Sequence, residues 1–122
     1  MAKNYVKSGD VISYTNAGSA ISAGDFVILG GIPFIALVDI ASGESGSIQR
    51  GGIWDLLAVD GAAFTLGQDV TFDVSVGRVD DAAATPATGD VTGIAAMVME
   101  TKTAGTDEKV RVLLTGVPGT VA

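Results

Sequence analysis

An all-β fold, a single small β-barrel or sandwich built from two related hairpins with little helix, is what the sequence predicts, and three observations carry the prediction. Seventeen glycines and three prolines fall in turn-like clusters about every ten residues, the punctuation of short strands rather than of helices. The stretch Gly30 to Leu57, GGIPFIALVDIASGESGSIQRGGIWDLL, sets apolar runs on either side of a Gly/Ser-rich turn. The same grammar returns near the C-terminus: Gly93 to Met99, then Ala104 to Asp107, then Lys109 to Leu114, with Ile35-Ala36 aligned on Ile94-Ala95. At 122 residues the chain is one domain, short of the length at which a core splits.

Residues 1–9 read as an N-terminal arm ahead of a β-rich body, residues 10–122. Residues 2–9 hold Lys3, Lys7 and Tyr5 and no acid, whereas the whole chain carries 14 acids against 7 bases, a net charge of −7. A solvated terminus satisfies that pattern, and so does a docking arm with Tyr5 as its apolar anchor and the lysines meeting acidic groups. Asp10 to Tyr14 is the first strand, closed by Thr15-Asn16-Ala17-Gly18. Ser22-Ala23-Gly24-Asp25 then turns the chain into Phe26 to Leu29, which lacks polar alternation and so is expected to be buried.

From Ile32 to Ile40 every even position is apolar, and Ile35 and Leu37 are apolar too. A strand apolar on both faces belongs at the centre, between two layers. Gly43-Glu44-Ser45-Gly46 supplies the reversal and Ser47 to Leu57 the return, with Arg50-Gly51-Gly52 read as a bulge within it. Val59 to Phe64 has room for one helical turn, which Gly61 keeps short. Thr65 to Asp69 leads into Val70 to Val74, where alternation points Val70, Phe72 and Val74 inward and Thr71 and Asp73 to water. Asp80 to Asp90, with small residues, acids and Pro86, reads as loop. Val91 to Glu100 resumes the sheet. Lys109 to Leu114 alternates cleanly, with Val110, Val112 and Leu114 inward and Lys109 and Arg111 outward, and the tail from Thr115 ends at the surface.

The chain has no cysteine and no histidine, which excludes disulfides, thiolate metal sites and every Ser-His or Cys-His arrangement. It has no phosphate loop, nucleophile elbow or dinucleotide fingerprint. Neither Asp80-Asp81 nor Asp107-Glu108 has the spacing of a calcium loop, and nothing selects a hydrolytic pair from Asp39, Asp55, Asp60 and Asp73. No catalytic, cofactor-binding or metal-binding residue is therefore assigned, and the expectation is a protein that is not an enzyme. A net charge of −7 is the wrong footprint for a nucleic-acid binder. The longest apolar runs, such as Ile32 to Val38, fall far short of the roughly 20 residues that cross a bilayer. Met1 to Lys7 has no apolar core of a secretory signal, so synthesis without export is expected.

Ala96-Met97-Val98-Met99-Glu100-Thr101 resembles the hairpin of biotinyl carrier domains. Val98, however, stands where those domains carry the modified lysine, so the carrier reading fails and the methionines read as core filler. Trp54, the single tryptophan, reads either as a partly buried core residue with its indole N–H given to an acceptor or as a subunit contact.

A longer resemblance runs through Ala2-Lys3-Asn4-Tyr5-Val6-Lys7-Ser8-Gly9-Asp10-Val11-Ile12, Gly24-Asp25-Phe26-Val27, Phe34-Ile35-Ala36-Leu37, Gly52-Ile53-Trp54-Asp55-Leu56, Leu66-Gly67-Gln68-Asp69-Val70 and Thr92-Gly93-Ile94-Ala95. In this order, over nearly the whole chain, these segments are similar to the DUF2190 family of tailed bacteriophages and prophages, described as capsid decoration or cement proteins. The resemblance implies a small β-rich homotrimer on the outside of an icosahedral head. It would be made in the host cytoplasm and bound where subunits of the major capsid protein meet, and it would hold the expanded shell against DNA pressure. Within that picture Ala2, Lys3, Asn4, Tyr5, Val6 and Lys7 would form the capsid-binding arm, and Trp54 would lie near the trimer contacts. The alternative is a non-catalytic carbohydrate- or ligand-binding β-barrel, against which stands an aromatic content of 6%.

Overall fold

A computed structural model describes residues 10–81, 85–106 and 108–122. Among these residues there are eleven strands in three antiparallel sheets and no helix. The first sheet has the order β1-β4-β3-β2, from β1 (Val11–Thr15), β2 (Phe26–Leu29), β3 (Ile32–Ala36) and β4 (Ser45–Arg50). The second has the order β5-β10-β9, from β5 (Gly52–Leu57), β9 (Ala96–Val98) and β10 (Lys109–Leu114). The third has the order β11-β8-β6-β7, from β6 (Val70–Asp73), β7 (Arg78–Asp81), β8 (Val91–Thr92) and β11 (Thr120–Val121). No sheet closes into a barrel, so of barrel and sandwich the packed-sheet arrangement is the one that forms.

Both hairpins are present. β3 pairs with β4 through Phe34↔Arg50, Ile35↔Gln49 and Ala36↔Ile48, and β9 pairs with β10 through Val112↔Val98, Leu113↔Met97 and Leu114↔Ala96. β3 lies inside its sheet, and its alternation divides two cores. Phe34 and Ala36 join Val27, Ile40 and Ile48 in a smaller cluster. Ile35 points the other way, into a larger cluster with Phe72, Val98, Val110 and Val112. β2 divides in the same way, with Val27 on the smaller core and Phe26 and Ile28 against the larger. The edge of Phe26 meets Phe72 at a centroid distance of 5.1 Å and 74° between rings, joining the first sheet to the third. Complete burial of a side chain such as Ile35 contributes about 1.5–3 kcal/mol.

Several expectations are corrected. β3 stops at Ala36: the chain bends at Leu37, whose N–H donates to the Ser47 carbonyl, and Leu37 and Val38 are exposed. The return strand does not run through to Leu57. Gly51 and Gly52 adopt φ of 80° and 96°, a region open to glycine and costly to other residues, and they turn the chain out of the first sheet into the second. Arg50-Gly51-Gly52 is therefore a crossing between sheets and not a bulge. In β6, Thr71 is buried rather than turned to water, and its hydroxyl donates to the Asp81 carbonyl at 3.2 Å, which satisfies the polar group there. Val74 is exposed, because β6 ends at Asp73 and the chain turns there.

Val59 to Phe64 forms no helical turn: Ala58 and Phe64 make bridges to Val79 and Lys102 on either side of a turn at Asp60-Gly61. Asp80 and Asp81 belong to β7, so the loop begins later than expected. The sheet from Val91 is broken by Gly93, with φ of 84°, into β8 and β9. Met97 is an exposed residue of β9 and not core filler, since its neighbours Ala96 and Val98 take the inward positions. The tail ends at the surface, yet Thr120 and Val121 pair with Thr92 and Val91.

Candidate functional site

β5 and β10 pair in the register Lys109↔Leu57, Arg111↔Asp55 and Leu113↔Ile53. The Ala58 N–H donates to the Glu108 carbonyl at 2.9 Å. In an antiparallel ladder that places Leu56–Val110 and Trp54–Val112 at hydrogen-bonded positions. The intervening pairs, 53–113, 55–111 and 57–109, fall at non-hydrogen-bonded positions, where facing side chains are closest. Leu56, Val110, Val112, Leu114 and Val98 point into the larger core. Ile53, Asp55, Leu57, Lys109, Arg111, Leu113 and Met97 take the opposite, outward positions.

Two kinds of surface meet on this outer face. Leu113 lies opposite Ile53 on one side and Met97 on the other, making an apolar row across three strands. Ile53 is 56% exposed and Met97 39%, with Leu113 half-buried between them. Beside the row, Arg111 donates to both oxygens of Asp55, from Nε at 3.0 Å and Nη2 at 3.1 Å, and its Nη1 lies 3.4 Å from Glu100 Oε2. Lys102 Nζ lies 2.9 Å from Glu108 Oε2. Asp55, Glu100, Lys102, Lys109 and Arg111 together line a polar recess.

The hydrogen bond from Arg111 holds the Asp55 carboxyl below its usual range. Its slight burial opposes this, and the positive charges of Arg111, Lys109 and Lys102 add to the lowering. Asp55 in turn raises the Arg111 guanidinium, mainly through the same hydrogen bond. The face is electrostatically ordered but open to water, where such pairs contribute little to stability.

Trp54 is half-buried against the larger core, and its indole N–H donates to the Gly51 carbonyl at 2.8 Å. A Cβ on Gly52 would lie 3.2 Å from the indole nitrogen, so the ring sits over the inter-sheet crossing and pins it. That satisfies the core reading of Trp54, while its neighbour Ile53 is the residue turned outward. Ala2, Lys3, Asn4, Tyr5, Val6 and Lys7, assigned to an arm, lie outside the described residues. The first described residue, Asp10, accepts the Arg50 N–H on its carbonyl. The β1–β4 ladder therefore runs up to the crossing.

The carboxylates weighed as a hydrolytic set have separate partners. Asp39 accepts the Ala23 N–H, Asp55 holds Arg111, Asp60 meets Arg78, and Asp73 accepts from Ser75. Among the described residues no group of three or more metal-ligating side chains comes together, and no helix is long and apolar enough to cross a membrane. Sequence reasoning passed over the apolar row. The only local signal was a single apolar residue at an outward position of each strand, Ile53, Leu113 and Met97, and the row exists only through the register between strands.

No curated protein matches the chain. Residues 6–114 match the family model described as phage cement protein.

Proposed function

The chain belongs to the phage cement protein family, and on that premise we propose that it binds the outside of the expanded phage head as a homotrimer and stabilises the shell. Membership carries association with the capsid and a structural role. The finer reading names the major capsid protein as partner, the capsid exterior as the place of work and the host cytoplasm as the place of synthesis. The observation that carries it is the family match from residue 6 to residue 114, which takes in ten of the eleven strands. A body of three packed sheets suits the role, because a cement acts by many modest contacts repeated over a symmetric lattice, where linkage raises effective concentration.

Two parts of the molecule take separate tasks in this reading. Residues 1–9 are an arm, of which residues 2–7 reach onto the capsid, and residues 10–122 are the decoration body. Support for the arm comes from its two lysines and absence of acids on a chain of net charge −7. Support for subunit contacts along β5, the strand of Trp54, comes from the position of β5 at a sheet edge with Ile53 and Leu57 exposed. Mixing the protein with expanded, undecorated heads tests the function: stoichiometric co-sedimentation is expected, and no attachment at micromolar protein refutes it. Deleting residues 2–7 should abolish attachment without changing the trimer, and undiminished attachment would rule out the arm.

A further inference from the structure

We infer that the outward face of β5, β10 and β9 is the surface through which copies of this chain meet, with Ile53, Leu113 and Met97 at its centre. The inference rests on the trimer reading and assigns it a face. Single exposed apolar residues are ordinary on any surface, but a contiguous row marks a contact. Here the three side chains occupy adjacent register positions on neighbouring strands.

Charge argues for a second copy as the occupant. A chain with a net charge of −7 repels its own copies over most of its surface. The cations on described residues are Arg50, Arg78, Lys102, Lys109 and Arg111, and the last three sit on or beside this sheet with Asp55, Glu100 and Glu108. Three positive groups against three negative ones make this face locally neutral, so two copies approach through it without the like-charge penalty they meet elsewhere.

The backbone adds direction. Residues 53 and 55 turn their N–H and C=O groups to the outer edge of β5, which ends its sheet, while from Leu57 on that edge is taken by β7 through the Ala58–Val79 bridge. On the far side, the outer edge of β9 is covered by the Gly67 N–H donating to Val98 and the Val98 N–H donating to Gln68, each at 2.8 Å. The β5 side of the face is thus open only at Ile53 and Asp55, and the β9 side is covered at Val98. A contact that joins the open stretch of β5 in one copy to a different part of the face in the next is head-to-tail, and such a contact gives a ring where its rotation closes, as the trimer reading requires.

Sedimentation equilibrium on the full chain, with circular dichroism to confirm folding, tests the inference. Wild-type protein should run as a trimer, and Ile53→Lys and Leu113→Glu should each raise the dissociation constant by about 30-fold or more, the loss expected at a central contact. Val76→Glu, at an exposed residue of the β6–β7 turn, should leave the mass unchanged. If Leu113→Glu does not fold, Ile53→Lys on the edge strand decides. A trimer that survives a folded Ile53→Lys overturns the inference and leaves the trimer reading intact. The same variant losing attachment to heads while remaining trimeric would also overturn it, giving the face to the shell. A monomeric wild type removes the trimer reading and the inference together.

Discussion

Arg111 grips Asp55 through two hydrogen bonds, at 3.0 and 3.1 Å, across a non-hydrogen-bonded pair of β10 and β5. The guanidinium fork matches the two carboxylate oxygens, and the close spacing at such a position lets it reach them. The pair fixes the outer ends of both side chains next to the apolar row. It ties the chemistry of the face to pH.

Asp55 has its folded-state pKa lowered, first by the Arg111 hydrogen bond. A depressed carboxyl stabilises the fold above its unfolded pKa, about 3.9 for Asp, and that contribution is lost as pH falls through the folded value. Asp55→Asn should therefore lower the urea midpoint slightly at neutral pH, the effect being small because both side chains are about half exposed. The difference from wild type should vanish once the solution is acidic enough to protonate Asp55 in the folded protein. A difference that persists there would mean that the carboxylate charge is not what stabilises this pair.

At the crossing, Gly52→Ala combines two penalties. The backbone φ of 96° disfavours any side chain, and the new Cβ would press on the Trp54 indole nitrogen at 3.2 Å. A loss of about 1–3 kcal/mol is expected. Trp54→Phe keeps the ring in place and removes the hydrogen bond to Gly51, for a loss of about 0.5–1.5 kcal/mol. Denaturant titration of both variants and the double mutant checks the coupling, since residues in contact should not add.

The strands of the larger core were legible wherever local pattern and tertiary burial agree. Val110, Val112 and Leu114 alternate inward as their spacing says, and β3 divides two cores because Ile35 and Phe34 are both apolar on opposite faces. The reading failed where the chain leaves one sheet for another. Nothing local separates a Gly-Gly bulge from a Gly-Gly crossing, because both need positive φ. What decides is the partner β5 finds in β10, more than fifty residues away. Thr71 was misplaced for a related reason: alternation assigns a whole face to water, and on β6 that face is buried at Thr71 and only partly open at Asp73. The outer row on the candidate face was hidden because it is made of one residue from each of three strands.

β3 offers a direct check on that lesson. Ile35→Ala opens a cavity in the larger core and should cost about 2–5 kcal/mol. Leu37→Ala, two residues on and in the same apolar run, should stay within about 0.5 kcal/mol, because the strand has ended and Leu37 is exposed. Equal losses at the two sites by chemical denaturation would mean that the strand continues past Ala36.

The C-terminal strand joins sheets that the sequence left unconnected. The Gly119 N–H donates to the Gly31 carbonyl at 2.9 Å, in the turn between β2 and β3, while Thr120 and Val121 pair with β8 of the third sheet. The Ala122 N–H reaches the Asp90 carbonyl at 2.9 Å, completing the seam. The backbone at Gly119 passes so close to the Thr92 carbonyl that a Cβ has no room, and Val91 and Ala95 close the other sides. Since the obstruction includes backbone, a rotamer change cannot relieve it, and Gly119→Ala must push β11 away from β8. The expected cost is about 1–3 kcal/mol, with hydrogen exchange at Thr120 and Ala122, the hydrogen-bonded positions of this ladder, accelerating far more than at Val112 in the second sheet. Uniform acceleration across all three sheets would instead mean that β11 unfolds only with the whole domain, making the seam part of its cooperative core.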